Sequence, residues 1–408
     1  MRTLIAVMLL ALPAWATCPD TGNGYSYCFE LSVAAGNITG TGTFTDVMWF
    51  QLDEDWLETA ANGGLVQSSS GSTPYDIRIQ DNSINLLPYY IARWDGSDTV
   101  GTLMLAVRAA WDGTSGTSIY LYVGKTELVS SDQSQALTFQ DYVAYYGLDQ
   151  AISTNADAFI DWAAGASHLT LNTITGPASV AAKLDNGVDF NGSSNSMVDT
   201  TPAAAVNVTG DLTVCAWIRP DGTGDQKILS TITNTTSDGG YIMGLYGASN
   251  NLEGEVWPNP AGAGVGLRTG ATGTPATLST GTWYHVCLEY TDVGDTIRSI
   301  VNGAQDRTKA TTVVLGVPTV KKIGLGNRVA SETFFFNGII DAALVRASYL
   351  STDVVDTIKL NQSAPTKTNW FTLGAQDPPS SGAAPRFSVQ AIIGTIFWRS
   401  AWLLDYWQ

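Results

Sequence analysis

The run Gly281-Thr-Trp-Tyr-His-Val-Cys-Leu-Glu-Tyr-Thr-Asp292 is followed by Ile297-Arg-Ser-Ile-Val-Asn-Gly303. Apolar and polar positions alternate in both, the period-two pattern of a strand with one buried face. A polar turn joins the two runs, and an Asn-Gly turn closes the second. Upstream, Leu212-Thr-Val-Cys-Ala-Trp-Ile218 is a third strand-like run, and its Cys215 is the only other cysteine besides Cys287 in this half of the chain. A chain organised on such runs folds as sheet, and the predicted class is all-β.

Composition sets outer limits. The 408 residues have room for two or three domains. Hydrophobic residues make up 44% and charged residues only 14%, so the polar surface comes largely from Thr, Ser, Asn and Gly. Those residues fit turns and strands better than exposed helices. The formal net charge of −17, with no basic cluster to interrupt it, argues against nucleic acid as a partner.

Residues 1–16 have the form of a secretory signal. Arg2 supplies the positive end, Leu4 to Leu12 the apolar stretch, and Ala14-Trp-Ala16 a small-x-small cleavage site. The apolar stretch is too short to span a bilayer, and no membrane span is expected in the mature chain. Cys18 follows the site closely enough to raise a lipid anchor, but Trp15-Ala-Thr17 departs from the usual lipobox. A plain exported chain is the expectation, whether secreted, at the cell surface or periplasmic. Four cysteines in such a chain allow two disulfides in three connectivities. The preferred pairing is Cys18–Cys28, closing a short loop around Gly22-Asn-Gly24, with Cys215–Cys287 joining two strands. Two buried free thiols are the alternative for the second pair.

Residues 17–145 read as an N-terminal β-sandwich. Strands are predicted at Tyr25–Ala34, Thr43–Leu52, Tyr75–Ile79, Leu87–Trp94, Thr102–Ala109 and Ser118–Val123. The segments Asp-Ile-Arg-Ile with Asp-Asn (76–82), Leu-Leu-Pro-Tyr-Tyr-Ile with Trp-Asp (86–95) and Ile-Tyr-Leu-Tyr-Val-Gly (119–124) resemble a DUF2341-like domain of exported bacterial and archaeal proteins. Ile79 and Val123-Gly-Lys125 stand where that family more often has Phe and Tyr-Gly-Asn. The resemblance speaks to fold and hardly to activity.

Residues 146–362 resemble a laminin-G or concanavalin A-like jelly roll. Tyr145-Tyr-Gly-Leu-Asp149 is similar to the opening strand of such domains. Ala182-Lys-Leu-Asp-Asn-Gly-Val-Asp-Phe-Asn-Gly192 is similar to their Asp-Phe-Asp-Gly turn. Phe335-Phe-Asn-Gly-Ile-Ile-Asp341-Ala-Ala-Leu-Val345 is similar to the closing strand, and a short helix capped by Ser351 or Thr352 follows. His285-x-Cys287 with Thr213-Val-Cys215 resembles the pentraxin variant and implies the same disulfide. Glu289 and Tyr290 depart from the pentraxin signature, and the acidic cluster that holds pentraxin calcium is not evident. After Gln362 the pattern loosens, so residues 363–408 read as a linker, Asp377–Pro385, followed by an apolar segment, 387–408, with Trp398, Trp402 and Trp407. That tail could be a short anchor, a partner-binding segment or a frayed end.

Catalytic motifs are missing. The two histidines, His168 and His285, lie far apart, and no Cys-x-x-Cys, Gly-x-Ser-x-Gly or phosphate-loop signature occurs. His285 shares a strand face with Trp283 and Cys287, which predicts a half-buried structural role. Glu253-Gly-Glu255 and Asp53-Glu-Asp55 do not match the Glu-x-Asp-x-x-Glu spacing of laminarinase-like relatives, so no enzyme activity is expected. Calcium is the more credible chemistry, because Asp and Asn in turns supply hard oxygen ligands. The candidates are Asp189, Asn191 and Asp341, with Asp161 as a fourth, holding a structural ion; the alternative is that these residues simply cap turns.

For carbohydrate, aromatic rings stack on sugar faces while Asn and Asp bond hydroxyls. Trp257, Tyr246 and Asn259, beside the Asp238-Gly-Gly240 turn, are the candidate platform, although most Trp in a sandwich belong to the core. The sequons at Asn37, Asn207, Asn234 and Asn361 matter only in a glycosylating host. The expected function is an exported, non-enzymatic binding protein for a glycan or other surface polymer. The alternatives are a structural or adhesive component that assembles through surface-protein contacts or as a homo-oligomer, and the periplasmic part of a transport or sensing system.

Overall fold

The computed structural model describes residues 18–19, 24–97, 100–150, 155, 158–163, 167–171, 178–194, 196–199, 208–232, 239–258, 264–317, 322–329 and 334–374. The signal-like segment 1–16, the linker and tail 377–408, Asp238, Asn259 and the sequons at Asn207 and Asn234 lie outside the described residues.

The N-terminal part contributes β1 (Tyr27–Val33), β2 (Thr43–Glu54), β3 (Ser69–Ser70), β4 (Thr73–Pro74), β5 (Arg78–Gln80), β6 (Tyr89–Asp95), β7 (Gly101–Asp112) and β8 (Thr117–Val123). Helix α1 (Gln135–Thr138) and β9 (Ala144–Tyr146) lead onward. The middle of the chain adds β10 (Leu169–Leu171), β11 (Ala178–Ala181), β12 (Asn186–Asn191), β13 (Met197–Asp199), β14 (Leu212–Pro220), β15 (Gln226–Ser230) and β16 (Gly240–Tyr246). Then come β17 (Asn251–Trp257), β18 (Val265–Gly266), β19 (Tyr284–Thr291), β20 (Thr296–Val301), β21 (Ala304–Ala310), β22 (Gly324–Leu325) and β23 (Asn337–Arg346). Helix α2 (Thr352–Ser363) and β24 (Thr372–Leu373) close the described chain.

The fold is all-β, as the alternation predicts. A seven-stranded sheet, β10-β13-β22-β15-β16-β17-β18, faces an eight-stranded one, β11-β12-β23-β14-β19-β20-β21 with β9 beside β23. Every named strand pair is antiparallel, and one core fills the space between the two sheets. Alternation dictates which side chains enter it. Leu212, Val214, Ala216 and Ile218 of β14 point inward, as do Val286, Leu288 and Tyr290 of β19. This is a concanavalin A-like jelly roll.

The N-terminal strands form a four-stranded sheet, β24-β1-β8-β5, and a three-stranded one, β2-β7-β6, with β2 and β7 paired along all twelve residues. Their core does not end at the jelly roll. Cys215, Trp217, Cys287, Ile300, Ala342 and Leu344, on the outer face of the eight-stranded sheet, join the same apolar cluster as Trp49, Phe139 and Tyr145. Ser351 caps α2 as predicted, its Oγ accepting from Val354 N at 3.3 Å, and Val355 and Ile358 pack into that cluster too. Residues beyond α2 return to the N-terminal sheet, where β24 pairs with β1.

Two local expectations are corrected. The strand predicted at Tyr75–Ile79 is shifted to Arg78–Gln80, because the Asp76 carboxylate draws the chain into a bend by accepting from Gln67 N (2.8 Å) and Gly124 N (3.0 Å). His285 is fully buried rather than half-buried, since the N-terminal sandwich and α2 cover the face it points from.

Candidate functional site

The outer face of the seven-stranded sheet brings charged and aromatic side chains together. In the β16–β17 hairpin, Tyr241, Met243 and Leu245 pair off into the core with Leu252 and Val256. The alternate positions therefore point away from the core: Ile242, Gly244 and Tyr246 on β16, and Asn251, Glu253, Glu255 and Trp257 on β17. A bulge between Lys227 and Leu229 on β15 sends Ile228 and Leu229 both into the core and leaves Lys227 on this outer face.

Lys227 reaches across β16 to place Nζ 2.7 Å from Glu253 Oε2, and both side chains are almost fully buried. Gly244 makes the crossing possible: a Cβ there would lie 2.9 Å from Lys227 Cδ and 2.4 Å from the Gln226 carbonyl oxygen. Arg268 approaches Glu253 from the other side, Nη2 at 2.9 Å from Oε2 and Nε at 2.9 Å from Oε1, and also pairs with Asp225 at 3.1 Å. The Tyr246 ring carries the Arg268 guanidinium at 4.9 Å and that of Arg307 at 5.5 Å, cation–π contacts that fix its plane. Phe334 lies over Lys227 and Arg328, each 5.7 Å from its ring centre.

Glu255 is held next to Glu253. Trp257 donates its indole N–H to Glu255 Oε2 at 3.1 Å. Burial pushes the Glu255 carboxyl well above the usual carboxylate range, and the neighbouring Glu253 pushes it further. Glu253 moves down despite its burial, through its hydrogen bond with Glu255 and the Lys227 and Arg268 cations. The face thus presents two aromatic rings, a buried carboxylate fixed by two cations, and a second carboxyl group beside it whose hold on a proton is strengthened by burial.

Trp257 and Tyr246, two of the three predicted carbohydrate residues, are therefore on one face of one hairpin. The calcium candidates are distributed otherwise. Asp161 accepts backbone N–H bonds from Tyr145 (2.9 Å), Ala163 (2.9 Å) and Ser167 (3.2 Å), and burial raises it to about 6. Asp341 accepts from Lys183 (2.8 Å) and Leu184 (2.7 Å) and is also raised by burial. Asn191 closes its turn, accepting from Ser193 N and Ser194 N at 3.0 Å each. Asp189 lies by Asp221 and Arg219, its carboxyl raised by burial and by Asp221. Among the described residues no three carboxylates converge; the one tight group of potential ligands is Cys215, His285 and Cys287. Its two sulfurs are joined as a disulfide, and Cys18–Cys28 is also bonded. Sequon Asn361 is buried, with its amide bonded to the Trp49 backbone.

Residues 191–356 match a family model, Laminin_G_3, of the concanavalin A-like lectin/glucanases superfamily. The matched stretch includes the whole β14–β23 arrangement and both carboxyl groups of β17. No curated protein matches the chain. Similar solved structures include the binding domain of Paraclostridial Mosquitocidal Protein 1, at 16% identity over 54% of this chain and 52% of that one, with a TM-score of 0.40. Domain 4 of AbnA, a GH43 extracellular arabinanase from Geobacillus stearothermophilus in complex with arabinotriose, is similar at 15% identity, over 54% of this chain and 98% of that one (TM-score 0.40). The botulinum neurotoxin serotype G binding domain is similar at 13% identity over 55% and 51% of the two chains (TM-score 0.41). The chain thus spans about half the length of the two toxin binding domains.

Strand alternation alone places both carboxyl groups of Glu253-Gly-Glu255 on the face of Trp257, although their spacing matches no catalytic motif. Lys227 and Arg268 carry no such signal in the sequence, because they reach Glu253 from other strands.

Proposed function

We propose that this chain is an exported, non-enzymatic binding protein that takes a glycan on the outer face of its seven-stranded sheet. The observation that carries the proposal is the sharing of one face by Trp257 and Tyr246 around a charged network of fixed geometry. Aromatic plates accept the apolar faces of sugar rings, while carboxyl and guanidinium groups bond their hydroxyls. Two disulfides suit an oxidising compartment and so support export. The N-terminal sandwich, DUF2341-like in its segments, carries no such face in this proposal and serves as a support. A non-enzymatic role is supported by Glu253 being buried and engaged by Lys227 and Arg268, which leaves it no free carboxylate for work across a glycosidic bond.

A glycan array tests the proposal. The wild-type chain is expected to bind at least one glycan class, and Trp257→Ala to weaken that binding tenfold or more, with an unchanged circular dichroism spectrum. Retained binding in the variant would move the site elsewhere. Release of reducing sugar from the bound polysaccharide, lost in Glu255→Gln, would overturn the non-enzymatic reading.

A further inference from the structure

We propose that the glycan taken by this face is acidic, and that Arg328 receives its carboxylate or sulfate group beside the Phe334 ring. The inference rests on the glycan-binding role argued above and names the class of ligand. Among the described residues each of the other eight arginines pairs with a carboxylate oxygen. Arg328 pairs with none. Its Nε is buried without an acceptor, while its two terminal nitrogens, also unbonded, are not buried. The preceding Asn327 accepts from the Arg328 backbone N–H at 2.7 Å, and the guanidinium meets only the Phe334 ring, 5.7 Å from its centre. A charge partly withdrawn from water and matched by nothing is costly. It stands so in a chain with 37 acidic residues against 20 basic ones, where an internal partner would be easy to supply.

The chain builds this corner under local strain. Phe334 is a non-glycine residue with a φ of 67°, a conformation that is costly for a bulky side chain, and it is 39% exposed. The backbone around it is fixed. Phe334 O accepts from Lys227 N at 2.9 Å, Gly326 N donates to Ile228 O at 2.9 Å, and Phe336 N donates to Gly326 O at 2.8 Å. The strained turn therefore holds an exposed ring against Lys227 and Arg328, on the side of β15 away from β16. Lys227, Gly244 and Glu253 stand side by side on β15, β16 and β17, so the corner lies two strand spacings, roughly 10 Å, from β17. Trp257 is four residues further along β17 than Glu253, roughly 13 Å. Phe334 and Trp257 are thus too far apart for one sugar ring and suit a short oligosaccharide.

Charge differs between the two corners. Glu255 stands at Trp257. At Phe334 the charges are Lys227 and Arg328, and Lys227 is already matched by Glu253. A neutral sugar would bond Arg328 through hydroxyls and leave its charge unmatched. A carboxylate or sulfate neutralises it through charge-assisted hydrogen bonds from the planar guanidinium. The Phe334 ring takes the apolar face of the same sugar. The ligand class that fits carries its acidic unit at Phe334 and an uncharged unit toward Trp257.

Binding of the full chain to four polymers tests this, at about 0.15 M salt, where the overall negative charge is screened beyond ~8 Å. Hyaluronan carries a carboxylate on alternate sugars, and carrageenan carries sulfates. Carboxyl-reduced hyaluronan and desulfated carrageenan are their neutral controls. Wild type is expected to bind one charged polymer roughly tenfold tighter than its control, and the polymer it prefers identifies the acidic group. Arg328→Gln should erase that preference without changing the circular dichroism spectrum. Arg328→Lys, which keeps the charge and loses the planar fork, should retain part of it. Trp257→Ala should weaken charged and neutral polymers alike. A preference that survives Arg328→Gln overturns the assignment of Arg328. Equal binding of charged and neutral polymers, dependent on Trp257, overturns the acidic class and leaves the glycan role standing. If the four polymers and the glycan array are all unbound, the glycan role falls and this inference falls with it.

Discussion

His285 is a titratable ring with no route to water. It is fully buried, 5.3 Å from the Trp217 ring, with Nδ1 at 3.9 Å from Cys287 Sγ and Nε2 without a partner. Burial lowers it to about 3 from an ordinary value of 6.5. The unfolded chain therefore binds this proton more readily than the folded one everywhere between those values. The sign follows: the contribution is intact above pH 6.5 and is lost as pH falls, by roughly 1.4 kcal/mol per pH unit at most. Buried Asp161 and Asp341 have raised values and act in the opposite direction, so the His285 effect must be read as a difference. Urea unfolding at pH 7 and pH 5 is expected to show a larger loss for wild type than for His285→Leu. Equal losses in the two proteins would show the imidazole to be reachable by protons in the native state.

At the level of elements, the β15–β16–β17 strip depends on a missing side chain. Gly244→Ala would set a methyl group against Lys227 Cδ and the Gln226 carbonyl oxygen, so Lys227 could no longer lie flat across β16 to Glu253. Overpacking of this kind costs about 1–3 kcal/mol, and the buried Glu253 would lose one of its two cations. The melting temperature and the affinity of the face are expected to fall together. A variant that melts lower but binds unchanged would separate the strip from the ligand. The strands themselves were legible in sequence: alternation located β14, β19 and β20 to within a few residues, the resemblance of Phe335–Val345 to a laminin-G closing strand located β23, and the Ser351 cap located the start of α2. The partners across strands were not. Lys227 and Arg268 meet Glu253 only through sheet order, which the period-two pattern of one strand does not encode. The double burial of β14 was half legible, since Leu212-Thr-Val-Cys-Ala-Trp-Ile218 has apolar residues on both faces, as a strand covered on two sides requires.

Across the whole molecule, the N-terminal sandwich, the jelly roll and α2 are joined by buried polar contacts as well as by a continuous apolar cluster. Trp217 Nε1 donates to Gln362 Oε1 at 3.0 Å, while Gln362 Nε2 and Trp49 Nε1 donate to the Tyr145 hydroxyl at 2.9 and 3.0 Å. Arg346 of β23 reaches Asp46 of β2 at 2.5 Å, and Tyr142 donates its hydroxyl to the same carboxylate. Asp46 is fully buried, and that burial raises its carboxyl even against the Arg346 charge. Units that share a core and a buried ion pair should melt together. Arg346→Met removes one half of the pair, a change that costs roughly 3–5 kcal/mol when a buried charge is left alone, and less if Asp46 takes up a proton instead. Calorimetry is expected to show one transition in wild type and one, at lower temperature, in the variant. The deficit should shrink as pH falls toward the range where Asp46 protonates, because a neutral acid no longer needs the guanidinium. Two separate transitions in either protein would mean that the sandwich and the jelly roll fold independently and that the contacts between them only dock finished domains.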